Sequence, residues 1–174
     1  MKRRTLALLT LVGVAAVATA AVALAAPPGG AKNFVAILKP GNETPPVANS
    51  KATGLATLNV RKANGADVVN WKINAANFGK SNKITAAHIH CGAKGVAGDV
   101  VVALYGGAPI AAKGNVLRGQ ITATSTFTGQ CGVTNLAQLL AKMRERPSQL
   151  YVNVHSESNP GGEIRGQVKA GKPS

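Results

Sequence analysis

The chain has 174 residues, a formal net charge of +14, two cysteines and only six aromatic residues (one Trp, two Tyr and three Phe). This length is enough for one domain with a single core, and the charge favours anionic partners such as wall polymers, acidic polysaccharide or lipid head groups. A nucleic-acid partner is not expected, because the Lys and Arg residues are scattered and few aromatic rings are available for base stacking.

The beginning of the chain, residues 1–25, is predicted to be a signal peptide. A basic KRR run at 2–4 precedes an uncharged Leu, Val and Ala stretch at 6–24, and the small residues at 23–25 predict cleavage before Ala26. A retained membrane anchor is the alternative. Cleavage removes three positive charges and so leaves a formal charge of +11. No second apolar stretch of that length follows, so no stable membrane span is expected after cleavage.

The rest of the chain reads as one all-β domain at 33–169, after a short linker at 26–32 and before a tail at 170–174. Its apolar residues alternate with period two, and Gly, Pro or Asn clusters separate most of the segments. Eight strands are predicted, at 34–39, 54–61, 67–76, 84–91, 100–105, 117–125, 150–156 and 163–168. This pattern favours an antiparallel Greek-key barrel or sandwich.

One short helix is predicted between the sixth and seventh strands. Thr134 is the expected N-cap, and Pro147 ends the run. An apolar stripe follows the cap, and we expect it to pack against the β-structure. Its members are Leu136, Leu139, Leu140 and Met143.

Cys91 and Cys131 are predicted to form a disulfide, because an exported chain meets an oxidising compartment. The alternative is that Cys91 is a metal thiolate beside His90. Strand geometry argues against this alternative, because neighbouring residues of a strand point to opposite faces.

All three histidines lie in two predicted strands, and they are the candidate metal ligands. The two-residue step from His88 to His90 places both rings on one face, with Ile89 pointing into the core. If the strand that carries His155 lies close by, three neutral imidazoles could bind copper or zinc, with a fourth position open to water or Glu157.

A structural polar cluster is the competing interpretation of the same residues. Glu163 and Arg165 share a face of the last strand, and Asn153 shares a face with His155. A Glu–His–Arg arrangement would satisfy half-buried polar groups and fix the strand register. Glu43, followed by Thr44 and two prolines, is expected in an extended edge segment.

Three motifs resemble the CHRD (chordin) domain family: ETPPV at 43–47, AHIHCG at 87–92 with later glycines, and YVNVH at 151–155 leading into NPGGEIRGQ at 159–167. The resemblance implies an immunoglobulin-like or Greek-key β-fold and a binding role without settled enzymatic activity. One departure is Asp99, which stands where a proline is common in the family.

The sequence therefore predicts a secreted or cell-envelope CHRD protein that acts as a non-catalytic binding or structural module. No catalytic residues are predicted, because the chain lacks Gly-x-Ser-x-Gly, His-Glu-x-x-His and Walker-type motifs. The alternative is a copper- or zinc-binding protein that uses the three histidines. The expected partners are an extracellular protein or an anionic envelope polymer.

Overall fold

The computed structural model describes residues 32–112 and 116–172. The predicted signal peptide, all but one residue of the predicted linker and the last two residues of the tail lie outside this part of the chain. Within it there are nine strands: β1 (Asn33–Leu38), β2 (Thr53–Ala63), β3 (Ala66–Ala76), β4 (Lys83–Cys91), β5 (Val100–Ala111), β6 (Val116–Ile121), β7 (Leu150–Ser156), β8 (Ile164–Gln167) and β9 (Lys169–Ala170).

The strands form two antiparallel sheets that pack as a sandwich. The first sheet has the order β6-β3-β2-β1-β9, and the second has the order β5-β4-β7-β8. The all-β prediction is confirmed, and of the two predicted architectures the sandwich is the one formed, since neither sheet closes into a barrel within the described residues. Paired main-chain hydrogen bonds between Lys39 and Arg165 join the end of β1 to β8 and so link the two sheets.

The core forms because one face of each strand carries apolar side chains. Phe34, Leu38 and Leu58 of the first sheet and Ile89 and Val152 of the second are fully buried in a single cluster. The opposite faces alternate with these residues, as period-two strands require. On β4 and β7 they carry polar side chains such as His88 and Asn153, whereas β1 presents Val35 and Ile37. The functional side chains of the second sheet therefore lie on its outer face.

Helix α1 (Leu136–Glu145) buries the predicted apolar stripe in the same core. Its N-cap is Asn135, whose side chain accepts a hydrogen bond from Gln138 N at 3.0 Å, and not Thr134 as predicted. The Thr134 hydroxyl group instead donates a hydrogen bond to Gln138 Oε1 at 2.7 Å, which also stabilises the first turn of the helix. Within the described residues no helix is long and apolar enough to cross a membrane.

The largest differences from the predicted strands are at the ends of β5 and β6 and in the additional strand β9, and the other strand ends agree within two residues. β5 continues to Ala111, because Gly106 and Ile110 keep pairing with β4 where the double glycine predicted a break. β6 ends at Ile121, where a turn follows. β9 lies where the domain was expected to give way to the tail, and it pairs with β1 through Lys169 and Ala170.

Candidate functional site

The pairing of β4 with β7 brings the three histidines together. In this antiparallel pair His88 lies opposite Asn153, His90 opposite Tyr151 and Ala86 opposite His155. Ile89 is fully buried in the core, so both neighbouring rings project from the outer face. The expected two-residue step is therefore present.

The three imidazoles form a compact cluster. One nitrogen of each ring lies within 4.8 Å of the others. The shortest separation is 2.9 Å, between His88 Nδ1 and His155 Nε2. The ring centroids of His88 and His90 are 5.5 Å apart. Sequence-distant residues thus create a site in which three ring nitrogens face a common volume.

Backbone carbonyl groups fix the orientation of two of the rings. His90 Nδ1 donates to Gly98 O at 2.9 Å, and His155 Nδ1 donates to Pro160 O at 2.8 Å. A carbonyl oxygen only accepts, so each of these Nδ1 atoms carries a proton and each Nε2 of the neutral ring has a free lone pair. His90 Nε2 is buried and has no hydrogen-bond partner in the described part of the chain.

The environment keeps the three rings neutral. Burial lowers the pKa of His88 to about 4, and the neighbouring His155 and His90 act in the same direction. Burial also lowers the pKa values of His90 and His155, although their hydrogen bonds to Gly98 O and Pro160 O act in the opposite direction. The imidazoles are therefore unprotonated at pH 7, which is the form that ligates a metal ion.

A stack of side chains supports the position of His90. The ring of Tyr151 lies 4.8 Å from that of His90 with an interplanar angle of 10°, and the guanidinium carbon of Arg165 lies 3.5 Å from the Tyr151 ring centroid. The Tyr151 hydroxyl donates to Gly98 O at 3.0 Å and accepts from Gly98 N at 3.1 Å. One glycine thus anchors both the tyrosine and the histidine.

Gly98 is required at this position for steric reasons. A Cβ atom there would lie 1.6 Å from the carbonyl oxygen of Cys91, so no other residue can occupy the position without moving the backbone. Neighbouring Asp99 contributes its main-chain oxygen, which accepts from Cys91 N at 3.0 Å.

Glu43, which was predicted to lie in an extended edge segment, has an extended backbone, and its side chain belongs to the buried surroundings of the site. Its side chain is buried, and both carboxylate oxygens accept from Asn153 Nδ2, at 3.0 and 3.2 Å. Burial raises the pKa of Glu43 to about 7, against the opposing effect of the Arg165 charge. Asn153 Oδ1 is buried without a hydrogen-bond partner among the described residues. Glu43 therefore fixes the orientation of the Asn153 amide.

The predicted polar cluster of Glu163, Arg165 and Asn153 is divided between two networks. Asn153 and Arg165 surround Glu43, whereas the carboxylate of Glu163 accepts hydrogen bonds from four side chains elsewhere. These donors are Ser50, Asn82, Ser156 and Asn159. Burial alone would raise the pKa of Glu163, but these four hydrogen bonds together lower it. The Glu–His–Arg arrangement expected at His155 is not formed in the described structure.

Two further predicted groups lie outside the histidine cluster. Glu157 is exposed, and its carboxylate accepts from Lys83 N at 3.3 Å. Cys91 forms a disulfide with Cys131, with the two Cα atoms 6.2 Å apart, so Cys91 is not a thiolate ligand. The candidate ligand set is therefore purely imidazole.

Sequence reasoning missed several supporting groups. Glu43, the stack of Tyr151 and Arg165, and the carbonyl groups of Gly98 and Pro160 all contribute to the surroundings of the histidines. Three of these residues lie in motifs that resemble the CHRD family: Glu43 in ETPPV, and Pro160 and Arg165 in NPGGEIRGQ. Their contacts with the site depend on chain segments that are distant in sequence.

These features define a class of protein: an all-β sandwich with one disulfide and a histidine cluster on one outer face. The family model described as CHRD domain matches residues 34–168, and the chain belongs to this family. CHRD domains are generally non-enzymatic binding domains, and the disulfide fits an extracellular protein. No curated protein and no solved structure matches the chain.

Proposed function

We propose that this protein is an exported, non-catalytic CHRD module that binds one copper or zinc ion through His88, His90 and His155. The observation that carries the proposal is the buried Nε2 atom of His90, which has a lone pair and no partner among the described residues. A buried polar atom without a partner is unfavourable by about 1–3 kcal/mol. A bound cation would remove this penalty.

The supporting hydrogen bonds follow the arrangement found around metal-ligating histidines. Such histidines almost always donate their other ring N–H to a carbonyl or carboxylate, which fixes the tautomer and turns the lone pair towards the ion. His90 and His155 donate in this way to Gly98 O and Pro160 O. Without metal, His88 Nδ1 would donate to His155 Nε2. To bind an ion through Nδ1, the neutral ring of His88 would take its other tautomer, with the proton on Nε2.

The donor set favours copper or zinc over hard cations. Imidazole nitrogen suits Zn, Cu, Fe and Ni, whereas Ca²⁺ and Mg²⁺ require oxygen ligands. Ligand nitrogens 2.0–2.1 Å from a tetrahedral ion lie about 3.3 Å apart, so the largest nitrogen separation of the cluster has to contract by roughly 1.5 Å. A small shift of the histidine side chains on metal binding would close this gap.

A solvent molecule would complete the coordination sphere. Asn153 lies opposite His88 in the strand register, and its free Oδ1 atom can accept a hydrogen bond from metal-bound water. Membership of a family of non-enzymatic binding domains supports binding of the ion and not turnover. The signal-like segment and the disulfide support export. The mass of the secreted protein should then correspond to a chain that begins at Ala26.

The test is metal content together with metal-dependent stability. The protein is purified without an affinity tag or chelator, and bound metal is measured by mass spectrometry. We expect about one copper or zinc ion per chain and a thermal shift on titration, since a ligand at 100 times its Kd stabilises by about 2.7 kcal/mol. Ca²⁺ and Mg²⁺ should produce no shift.

The double variant His88→Ala/His90→Ala should lose both the ion and the shift. Glu157→Gln is the matched control, because it removes a nearby exposed carboxylate outside the cluster and should retain both. The absence of bound metal and of any shift in the unmodified protein would refute the metal site. Equal destabilisation of the histidine variant with and without metal would identify the histidines as structural.

A further inference from the structure

A groove runs along the outer face of β1, separate from the histidines. Val35, Ile37 and Lys39 alternate along this strand and lie on the same outer side, and the Ile37 side chain is 61% exposed. Lys169 lies opposite Val35 in β9, and Lys94 comes from the loop after β4. These five residues line a cavity of about 280 Å³, together with Asn42 and Gln167.

The charge of this groove is not balanced within the molecule. Lys39, Lys94 and Lys169 are exposed, and no Asp or Glu residue lines the groove. Across the described residues the ion pair recorded is Lys62–Asp67, at 3.1 Å, which involves none of the groove lysines. The positive net charge, +14 for the whole chain and +11 after the predicted cleavage, adds a long-range field of the same sign. The groove is therefore suited to an anionic ligand.

The order of side chains along the groove indicates which class of anionic ligand it could bind. From Val35, opposite Lys169, to Lys39 is four residues, or about 13 Å along a strand. Cations lie at both ends of this strip, and the aliphatic side chains of Val35 and Ile37 lie between them. A linear chain of acidic sugars presents carboxylates at intervals along apolar ring faces, and this pattern is complementary to the strip.

We propose that the β1 groove binds an acidic polysaccharide, with carboxylates at the lysines and sugar rings against Val35 and Ile37. Nucleic acid is less well suited, because no aromatic side chain lines the groove to stack on bases. A membrane surface is also less well suited, because a single strongly exposed aliphatic side chain buries little area in a bilayer. The side-chain amides of Asn42 and Gln167 also line the groove.

The probe is polygalacturonate, a linear polymer of carboxylated sugars, with neutral dextran as the uncharged comparison. Binding to the purified protein is measured by isothermal titration calorimetry at two salt concentrations. We expect binding to polygalacturonate that weakens with salt, and no binding to dextran. The variant Lys39→Gln/Lys94→Gln/Lys169→Gln should lose affinity by about tenfold or more.

The matched control is Lys51→Gln/Lys72→Gln/Lys80→Gln, which removes the same charge from exposed positions outside the groove. It should change affinity by less than about threefold. Equal losses in the two triple variants would refute the groove and leave only a general electrostatic field.

Two further measurements test the ligand class and the role of the apolar strip. Ile37→Ser should weaken binding to polygalacturonate without changing its dependence on salt, and an unchanged affinity would contradict the packing of sugar rings. Vesicles of phosphatidylglycerol are tested in parallel. Groove-dependent binding to the vesicles without binding to polygalacturonate would show that the polysaccharide assignment is wrong.

Discussion

Replacing Glu43 with Gln should change how stability depends on pH. Burial raises the pKa of Glu43 from its ordinary 4.5 to about 7 in the folded protein. The difference between these two pKa values corresponds to about 3 kcal/mol between the two protonation states. Because the folded state holds the proton more tightly, the contribution of Glu43 is fully present below about pH 4.5 and is lost as pH rises through about 7.

The Gln side chain imitates the neutral carboxyl group and does not titrate. Its amide oxygen can still accept from Asn153 Nδ2, so the hydrogen bond is kept. The variant should therefore become more stable relative to the unmodified protein as pH rises. The difference between their unfolding free energies should move in favour of Gln by about 3 kcal/mol between pH 4.5 and 8.

The assay is urea unfolding at several pH values in the presence of a chelator, so that bound metal does not contribute. The lowered pKa of His88, about 4, acts in the opposite direction, because its contribution to stability falls as pH falls below about 6.5. This effect cancels in the difference between variant and unmodified protein. Glu157→Gln, which removes an exposed carboxylate outside the site, is the control. A flat difference for Glu43→Gln would refute the raised pKa.

Two predictions concern the frame of the site. Replacing Cys91 and Cys131 with Ser should lower the unfolding free energy by about 4 kcal/mol, because the bridge closes a loop across a separation of 40 residues; urea unfolding measures this, and an unchanged midpoint would contradict it. Gly98→Ala should destabilise by about 3 kcal/mol or more, because its Cβ would overlap the Cys91 carbonyl. Gly41→Ala, with open space around it, is the thermal-unfolding control, and similar melting temperatures would contradict the steric explanation.

Local patterns in the sequence predicted most of the strands and the direction of their side chains. The period of two placed His88 and His90 on one face with Ile89 in the core, because alternation is a property of a single strand. The end of β5 was predicted too early, because Gly106 and Gly107 resemble a turn. Pairing with β4 carries the strand through them, and this pairing depends on residues about 20 positions away.

The surroundings of the site could not be predicted, because they depend on segments that meet only in the folded chain. The proline-rich run after Glu43 indicates an extended segment, and nothing local indicates that the carboxyl group reaches Asn153, 110 residues away. The separation of Glu163 from Arg165 also depends on donors to Glu163, of which Ser50 and Asn82 are distant in sequence. The sequence pattern placed Glu163 and Arg165 on one face of a strand and so predicted a common network. In the folded chain their side chains have different hydrogen-bond partners.

The contacts of the three rings support the proposal that the histidines bind a cation, in preference to a purely structural role. A structural histidine cluster is normally satisfied by a carboxylate or by donors for its lone pairs. Here His90 and His155 donate their Nδ1 protons to backbone carbonyl groups, so neither proton points into the space between the three rings. Two lone pairs then face inward, and the single Nδ1 proton of His88 can satisfy only the one on His155. The remaining lone pair, on His90 Nε2, is buried. Because protonation of the rings is disfavoured, the proposed metal ion would satisfy the lone pair that no proton satisfies.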